Sequence, residues 1–427
     1  MINSHNQNIY ETLGRNPIHP FPARMSAGIA WDAVGTCKPG ARILDPMMGS
    51  GTVLAVAHSR GHRALGVDLD PLAVLLSKVW TTVVDAKAVR AKGEQVIRRA
   101  KLTFASLPNA DAYPVNADPE TKAFVRYWFD DYARRQLTAL ALAIHRIQCP
   151  NTRDVLWCAF SRLIITKQAG ASLAMDLSHS RPHKSFRRAP TKPFNKFLAA
   201  LKVVVTNCPP LKPLHKELPT TPMLGDARSL PIRSRSIDLV LTSPPYLNAI
   251  DYMRCSKFSL VWMGYSIPSL REVRTKSIGT EVALPNNMLS DEIGAVVREL
   301  NLSPPLSRRA SAILNRYALD MHGALKEVAR VLVPGGRAIY VVGNSTIRGT
   351  FIRNSALVES VARLNGLNLL ERKVRLLPPN RRYLPPPSSN QAGASLSSRM
   401  REEVVLAFEN PRRSIATGLQ MHARYPN

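Results

Sequence analysis

The residues best suited to chemistry form one short stretch, Ser243-Pro244-Pro245-Tyr246, directly after a run of branched apolar residues. The run 237–241 predicts a buried strand that ends in a rigid, exposed turn. Two adjacent prolines fix φ and remove two N–H donors, so the carbonyls of this turn remain available as hydrogen-bond acceptors. The Ser243 hydroxyl before the turn could hold an amine, and the Tyr246 ring after it could stack on a planar group.

A second set of candidate binding residues lies in a glycine-containing loop near the N-terminus. Residues 42–45 predict a strand that ends at Asp45, the loop that follows carries Gly49 and Gly51, and a helix begins near Thr52. Glycines let the backbone approach a ligand, and a helix N-terminus offers free N–H groups. The loop contains neither GxGxxG nor the lysine of a phosphate-binding P-loop. Strand, glycine turn and helix predict the first unit of a nucleotide-binding α/β sheet.

The next predicted strand, 63–68, ends at Asp68 and is followed by a helix that begins at Pro71. An acid at the end of the second strand is where such folds bind ribose hydroxyls. We therefore predict that Asp68 binds a ribose, with Leu69 and Asp70 flanking an adenine.

The two motifs resemble those of the DNA amino-methyltransferases, which transfer a methyl group from S-adenosylmethionine to an exocyclic amine of a DNA base. The sequence DPMMGSGT (45–52) is similar to that family's cofactor loop, although Met47 stands where the family often has an aromatic residue. The sequence SPPY (243–246) is similar to its catalytic motif. Ser243 at the first position is typical of the cytosine-N4 branch, whereas Asp or Asn is typical of the adenine-N6 branch.

The resemblance implies an α/β fold, a Rossmann-like class I methyltransferase sheet with a helical, basic insert. It implies S-adenosylmethionine as the cofactor and no metal. The catalytic residues that it implies are Ser243, Pro244, Pro245 and Tyr246. The cofactor-binding residues that it implies are Asp45, Pro46, Gly49, Gly51, Thr52, Asp68 and Asp226, the last of these at the end of a short predicted strand, 222–226.

Three further segments are similar to parts of the same family. Residues 17–25, PIHPFPARM, resemble an N-terminal element that lies near the methionine end of the cofactor, although they could also be a simple lead-in to a helix at 26–35. Asp251-Tyr252 and a predicted helix at 257–264 resemble the segment that supports the catalytic turn.

The chain divides on this reading into a cofactor-binding half (1–80), an insert (81–221) and a catalytic half (222–427). Within the insert, 124–148 and 152–170 have apolar residues at helical spacing.

The segment 176–220 is predicted to be loop-like and carries nine basic and two acidic residues, a net charge of +7. Three aromatic residues are interleaved with these charges: Phe186, Phe194 and Phe197. Such a loop suits a DNA backbone and unstacked bases, although a solvated linker is an alternative.

The catalytic half contains a helix at 313–331 and a Pro-Gly-Gly turn before a strand at 337–344. A helix near 351–364 and strands near 367–376 and 402–408 are expected to complete the sheet. Residues 265–312 are polar and predicted to be irregular. The Pro- and Arg-rich stretch 378–387 is predicted to border a DNA cleft or to form an extended loop.

Composition restricts the partner and the compartment. The 427 residues include 58 Lys and Arg against 30 Asp and Glu, a net charge of +28, which points to a polyanion such as nucleic acid. The five cysteines include no CxxC pair, so neither a zinc ribbon nor a disulfide framework is indicated. The polar N-terminus lacks a signal-peptide core and no apolar run is long enough to span a membrane, so a cytoplasmic location is expected.

The predicted function is N4 methylation of cytosine in double-stranded DNA, in a restriction-modification system with a cognate restriction endonuclease as partner. The alternatives are an adenine-N6 DNA methyltransferase, a tRNA guanine-N2 methyltransferase and an inactive DNA-binding protein with a methyltransferase-like fold. A cytosine-C5 enzyme is disfavoured, because that class uses a Cys directly after a Pro and no Pro-Cys dipeptide occurs here.

Overall fold

A computed structural model describes most of the chain. The described residues are 7–22, 24–178, 182–209, 218–247, 251–280, 290–347, 349–377 and 402–412. The Pro- and Arg-rich stretch 378–387 lies outside them.

A seven-stranded sheet forms the centre of the molecule. Its strands are β1 (Arg42–Asp45), β2 (Arg63–Asp68), β3 (Thr220–Leu224), β4 (Ile237–Thr242), β5 (Leu332–Gly343), β8 (Asn368–Leu376) and β9 (Glu402–Glu409). They lie in the order β3-β2-β1-β4-β5-β9-β8. A separate ribbon pairs β6 (Ser345–Ile347) with β7 (Thr350–Ile352).

The first five strands of this order are parallel, and β9 runs antiparallel between β5 and β8. The order reverses between β1 and β4, the switch point at which open α/β sheets bind ligands. The predicted class I methyltransferase sheet is confirmed. Strand β5 begins earlier than predicted, because the Pro-Gly-Gly residues pair within it, with Gly335 donating its N–H to the Asn410 carbonyl (2.7 Å).

Fourteen α-helices surround the sheet within the described residues. They are α1 (Ile9–Leu13), α2 (Ala27–Gly35), α3 (Thr52–Ser59), α4 (Pro71–Thr81), α5 (Ala86–Ser106), α6 (Pro119–Trp128), α7 (Asp131–His145), α8 (Pro150–Ile164), α9 (Pro193–Thr206), α10 (Met253–Leu260), α11 (Ile267–Lys276), α12 (Asp291–Glu299), α13 (Arg308–Val331) and α14 (Asn354–Leu364).

Alternating strand residues divide the core of the sheet into two layers. On one face, α2 and α3 cover Ile43, Leu239 and Leu241. On the other face, α12, α13 and α14 cover Leu44 and Val240. Successive strand residues point to opposite faces, so each strand supplies both layers.

The insert is helical, and its helices are shorter than predicted. The predicted helix 124–148 is interrupted at Phe129 and Asp130. There the Asp130 carboxylate accepts the Ala133 N–H and caps α7. Helix α9 occupies part of the segment predicted to be a loop, and it buries Phe197 completely. That prediction was wrong because the apolar residues of α9 find partners on α5, which are remote in sequence.

Residues 265–312 were also predicted incorrectly, since they contain α11, α12 and the start of α13 rather than irregular structure. Both short helices are capped by serines. Ser266 accepts the Ser269 N–H, and Ser290 accepts the Ile293 N–H. Each helix buries few apolar side chains, so the sequence carries only a weak helical period there.

The insert shares one hydrophobic core with α4 and α10. Trp262, directly after α10, is fully buried, with its ring centroid 5.4 Å from that of Phe129 and 6.3 Å from that of Phe160. No helix among the described residues is long and apolar enough to cross a bilayer.

Trp262→Ala should lower the free energy of unfolding by about 3–5 kcal/mol, because it removes a large buried ring between the insert and the catalytic half. Urea unfolding monitored by circular dichroism should keep a single transition, since the two parts share this core. The exposed Leu102→Ala is the matched control and should change stability by less than about 0.5 kcal/mol. A second transition that belongs to the insert alone would contradict the shared core.

Candidate active site

A deep cleft opens at the carboxyl ends of β1, β2 and β4. Its empty volume, including the solvent at its mouth, is about 1320 Å³, which is ample for a nucleoside-sized ligand. Its polar wall residues include Asp45, Ser50, Thr52, Asp68, Asp226, Ser243 and Asp251, and its apolar ones include Phe21, Met47, Met48, Leu69, Pro245 and Ile278. The strand order thus brings together both motifs predicted from the sequence.

The glycine loop forms one side of the cleft. Gly49 and Gly51 have positive φ values of 49° and 84°, and Gly51 lies at the N-cap of α3. A Cβ atom at Gly51 would lie 2.9 Å from the Cα atom of Ser77 on α4. Only glycine therefore allows the loop to approach α4 this closely without a shift of the backbone. The loop therefore lies close to α4, and its backbone faces the cleft.

Asp68 lies at the end of β2 and connects that strand to the loop. Its carboxylate accepts the N–H of Gly49 (2.8 Å) and of Asp70 (2.9 Å). Burial raises the pKa of Asp68, against the effect of these hydrogen bonds. A carboxylate held by two backbone donors keeps further lone pairs for ligand hydroxyls.

Asp45 connects the two halves of the site. Its Oδ1 atom accepts the Thr242 hydroxyl of β4 (2.7 Å) and the Met47 N–H (3.2 Å). Asp45 is 3% exposed, and burial raises its pKa to about 7. This hydrogen bond holds the end of β1 beside the end of β4.

Asp70, which was predicted to flank an adenine, lines the cleft and also acts as a structural cap. It caps α4 by accepting the Leu72 N–H (2.9 Å), and it accepts the Ser256 hydroxyl of α10 (2.5 Å). Burial raises the pKa of Asp70 to about 7. The Asp70–Ser256 contact therefore fixes α10 against the cofactor-binding half.

Asp226 lies in the cleft wall, with its carboxylate bonded to Arg228 through two contacts of 2.9 and 2.6 Å. Arg228 also bonds Asp320 of α13 (2.5 Å). Burial opposes ionisation of Asp226, but the hydrogen bonds and charge of Arg228 outweigh it and lower the pKa of this carboxyl.

The Ser-Pro-Pro-Tyr turn begins where β4 ends. Ser243 and Pro245 line the cleft, whereas Pro244 and Tyr246 lie outside its wall. The Ser243 hydroxyl donates to the Val341 carbonyl of β5 (3.1 Å), and the Tyr246 hydroxyl donates to Glu403 of β9 (3.0 Å).

The N-terminal element reaches the same cleft. Phe21 stacks on Tyr252, with ring centroids 5.7 Å apart and an angle of 10° between the planes. Arg24 donates to the Ser50 hydroxyl (3.0 Å) of the glycine loop. The buried His19 contacts Ser161 of α8 (2.9 Å), so this element is anchored in the insert.

Two further basic side chains line the cleft near Asp251. Asp251 pairs with Arg254 (3.1 Å) and with Arg274 (2.5 Å), and both arginines line the cleft. Sequence reasoning did not identify these arginines, nor the Phe21–Tyr252 pair, nor Glu403. An aromatic residue within each of the segments 17–25 and 251–252 was the only signal available for the stacked pair.

No group of three or more His, Cys, Asp or Glu side chains within the described ranges is arranged to hold a metal ion.

Asp45→Asn should stabilise the protein at alkaline pH. The ordinary pKa of this carboxyl is 3.8 and its pKa in the fold is about 7, so between these values the folded state holds a proton that the unfolded chain has lost. The free energy of unfolding of the wild type therefore falls as pH rises from 3.8 to about 7. Above about pH 7 the whole of this loss is present. Asparagine Oδ1 can still accept both hydrogen bonds, and the gain at pH 8 should reach up to roughly 4 kcal/mol.

Urea unfolding midpoints at pH 5 and pH 8 measure this effect, and the difference between Asp45→Asn and wild type should shrink at pH 5. The exposed Asp111→Asn is the matched control. An equal difference at both pH values would contradict the predicted titration of Asp45.

Comparison with known proteins yields one curated relative with near full-length similarity. The chain is 24% identical over 433 residues to the type II methyltransferase M.MvaI of Kocuria varians, covering 92% of this chain and 90% of that protein. No family profile matches the chain.

Solved structures give weaker similarities. A TehB-like SAM-dependent methyltransferase from Corynebacterium glutamicum aligns over 89% of this chain and 85% of its own, with 11% identity and a TM-score of 0.28. A protein of Thermus thermophilus, provisionally assigned as a DNA modification methylase, covers 48% of this chain and 55% of its own, with 19% identity and a TM-score of 0.23. The fold assignment rests on the strand order, and the chain is similar over most of its length to a type II methyltransferase.

Proposed function

We propose that this protein is an S-adenosylmethionine-dependent DNA methyltransferase that modifies the N4 amine of cytosine. The observation that carries this proposal is the position of Ser243. Its hydroxyl lies in the wall of the same cleft as the glycine loop and Asp68, so a methyl donor and an amine could meet there. The near full-length similarity to M.MvaI supports the reaction class.

The cleft fits S-adenosylmethionine in size and in chemistry. Asp68 would accept ribose hydroxyls, Gly49 and Gly51 allow close approach of the backbone, and Met47, Leu69 and Phe21 supply apolar walls for the base and the thioether chain. Asp45, Pro46 and Thr52 line the same cleft, and Asp226 would face the adenine amine. The bound cofactor supplies an activated methyl group on a sulfonium.

Ser243 would orient the target amine. An exocyclic amine is a poor nucleophile, because its lone pair is delocalised into the ring. Since the Ser243 proton is donated to Val341, the serine oxygen has lone pairs left to accept an amine hydrogen. This contact favours the attacking geometry of the amine over the planar one. The Pro244 carbonyl, which the family resemblance implies as the second acceptor, is not part of the cleft wall. The contribution of the protein is positioning and electrostatics, with no covalent enzyme intermediate.

DNA is the substrate that charge favours. On α5, six exposed basic residues accompany a single exposed acid, and the neighbouring α9 exposes two lysines. The basic residues on α5 are Lys87, Arg90, Lys92, Arg98, Arg99 and Lys101, and those on α9 are Lys196 and Lys202. Such a surface would attract the phosphate backbone of a duplex from which the target base is swung out.

Mass spectrometry of digested DNA after reaction with the purified protein should detect N4-methylcytosine. Ser243→Ala should lower kcat by at least about tenfold with nearly unchanged cofactor affinity, because the contact acts in the transition state. N6-methyladenine alone would move the target to adenine and keep the mechanism. Methylated tRNA without methylated DNA would favour the RNA alternative, and no cofactor binding by calorimetry would favour an inactive binding protein.

DNA binding should depend on Arg187 and Arg188, which are exposed in the basic segment beyond α8. Replacing both with Ala should flatten the slope of log affinity against log salt by about one to two units, because two phosphate contacts are lost. Fluorescence anisotropy with a labelled duplex measures the slope. Replacing Arg233 and Arg235, which are exposed before the amino end of the central strand β4, is the matched control. Equal salt slopes for the two double variants would indicate that the basic segment is a solvated linker that does not contact DNA.

A further inference from the structure

A largely buried acid, Glu403, lies behind the catalytic turn, on a strand that no motif identifies. Glu403 is the second residue of β9, where it lies opposite Gly343 of β5 and Arg375 of β8. Residues Gly343 and Val341 share one face of the sheet, because side chains alternate along a strand. Gly343 has no side chain, and the Glu403 carboxylate reaches across β5 to the Tyr246 hydroxyl, four residues beyond the end of β4.

Three hydrogen-bonding groups form a continuous path from the cleft to this acid. The Ser243 Oγ atom lies 3.4 Å from the Tyr246 hydroxyl oxygen, and that hydroxyl donates to Glu403 Oε1 at 3.0 Å. The other carboxylate oxygen, Oε2, lies 3.5 Å from Arg375 Nη1. The side chains of Glu403 and Arg375 are 13% and 8% exposed, so this ion pair is shielded from bulk water.

The chemistry of the groups gives the path a direction. An ionised carboxylate only accepts, so the Tyr246 proton lies towards Glu403, and the phenol oxygen can accept from Ser243. Burial, and then the charge of Glu403, raise the pKa of Tyr246 well above its ordinary range, so the phenol stays protonated between reactions. The Ser243 hydroxyl has two alternative acceptors, the Val341 carbonyl and the Tyr246 oxygen. Because both lie near the same Oγ position, rotation of the O–H about the Cβ–Oγ bond switches between them.

We propose that Glu403 is the terminal proton acceptor of the reaction, reached through Ser243 and Tyr246. This inference rests on the proposed function and deepens it. As the amine nitrogen forms its bond to the methyl carbon, the carbon–sulfur bond breaks and its electron pair stays on sulfur. The nitrogen then loses one proton to Ser243 Oγ, Ser243 passes its own proton to Tyr246, and Tyr246 passes its own to Glu403.

At the end of the transfer, both hydroxyls have their protons again and only Glu403 has gained one. The Arg375 guanidinium, 3.5 Å from Oε2, lies where it can balance the charge of the Glu403 carboxylate. Glu403 does not touch the substrate, so it is a positioning residue that acts through the other two side chains. Release of its proton to solvent resets the site for the next turnover.

Steady-state kinetics of Glu403→Gln and Tyr246→Phe test this path. Glutamine can accept the Tyr246 hydrogen bond but cannot take a proton, and phenylalanine keeps the ring but removes the central hydroxyl. Both variants should lower kcat by about 10²-fold, the lower end of what a positioned proton acceptor contributes. The KM for DNA should stay within about twofold of wild type. The fall of wild-type kcat towards low pH, which reports protonation of Glu403, should be absent in both.

Glu402→Gln is the matched control, because Glu402 is the exposed neighbour on the same strand. It should keep the kcat and the pH profile of wild type. A Glu403→Gln protein with wild-type kcat, or one with reduced kcat and an unchanged pH profile, would overturn the relay. If Glu403→Gln does not fold, the kcat and the pH profile of Tyr246→Phe alone test the relay.

A stability cycle separates failure of the relay from failure of the proposed function. Unfolding midpoints of Glu403→Gln, Tyr246→Phe and the double variant should be non-additive, because the two changes remove one hydrogen bond. This result requires no activity, and additive midpoints would overturn the relay. A wild-type protein that methylates no base, with non-additive midpoints, would overturn the proposed function and the relay with it, while the hydrogen bond itself would stand.

Discussion

The hydrogen bond from Thr242 to Asp45 holds together the two parts of the site. It joins the ends of adjacent parallel strands at the point where the strand order reverses, between residues 197 positions apart in the sequence. Because the carboxyl ends of parallel strands meet at one edge of a sheet, the glycine loop and the Ser-Pro-Pro-Tyr turn must open onto the same cleft. The bond is fully buried, so water does not compete with it.

Burial of three carboxylates at the carboxyl ends of the strands costs folding free energy. Asp45, Asp68 and Asp70 lie close together, and burial raises the pKa of each. Most of their hydrogen-bond donors are backbone N–H groups and serine or threonine hydroxyls from neighbouring elements, with no arginine or lysine among the bonds described. These carboxylates give the cleft strong hydrogen-bond acceptors, while Arg24, Arg254 and Arg274 also line its wall.

The helical insert supports the site as well as extending the surface. Its core includes side chains of α4 and α10, the helices that carry Asp70 and Ser256. His19 connects the N-terminal element to Ser161, and Ser161 connects to Ser259 of α10. The insert therefore holds three segments of the cleft at fixed separations, while the exposed faces of α5 and α9 remain basic.

The local sequence determined the features that depend on near neighbours. The strand ends at Asp45, Asp68 and Thr242 could be predicted, because apolar runs that stop at glycine or proline turns mark buried strands. Their order along the chain predicted a nucleotide-binding α/β sheet, and the family resemblance implied its methyltransferase class. Helix boundaries in 176–220 and 265–312 could not be predicted, since α9 forms against α5 and α11 buries only Leu270.

Tertiary structure alone decided which distant side chains meet. The family resemblance implied that Asp226 binds the cofactor, and the fold adds Arg228, which bonds both Asp226 and Asp320. Glu403 reads as the polar start of a closing strand, yet its register opposite Gly343 brings its carboxylate to Tyr246, 157 residues away. The residue types that could react were determined by the sequence. Their partners were decided by strand register, because a shift of one residue turns every side chain to the other face of the sheet.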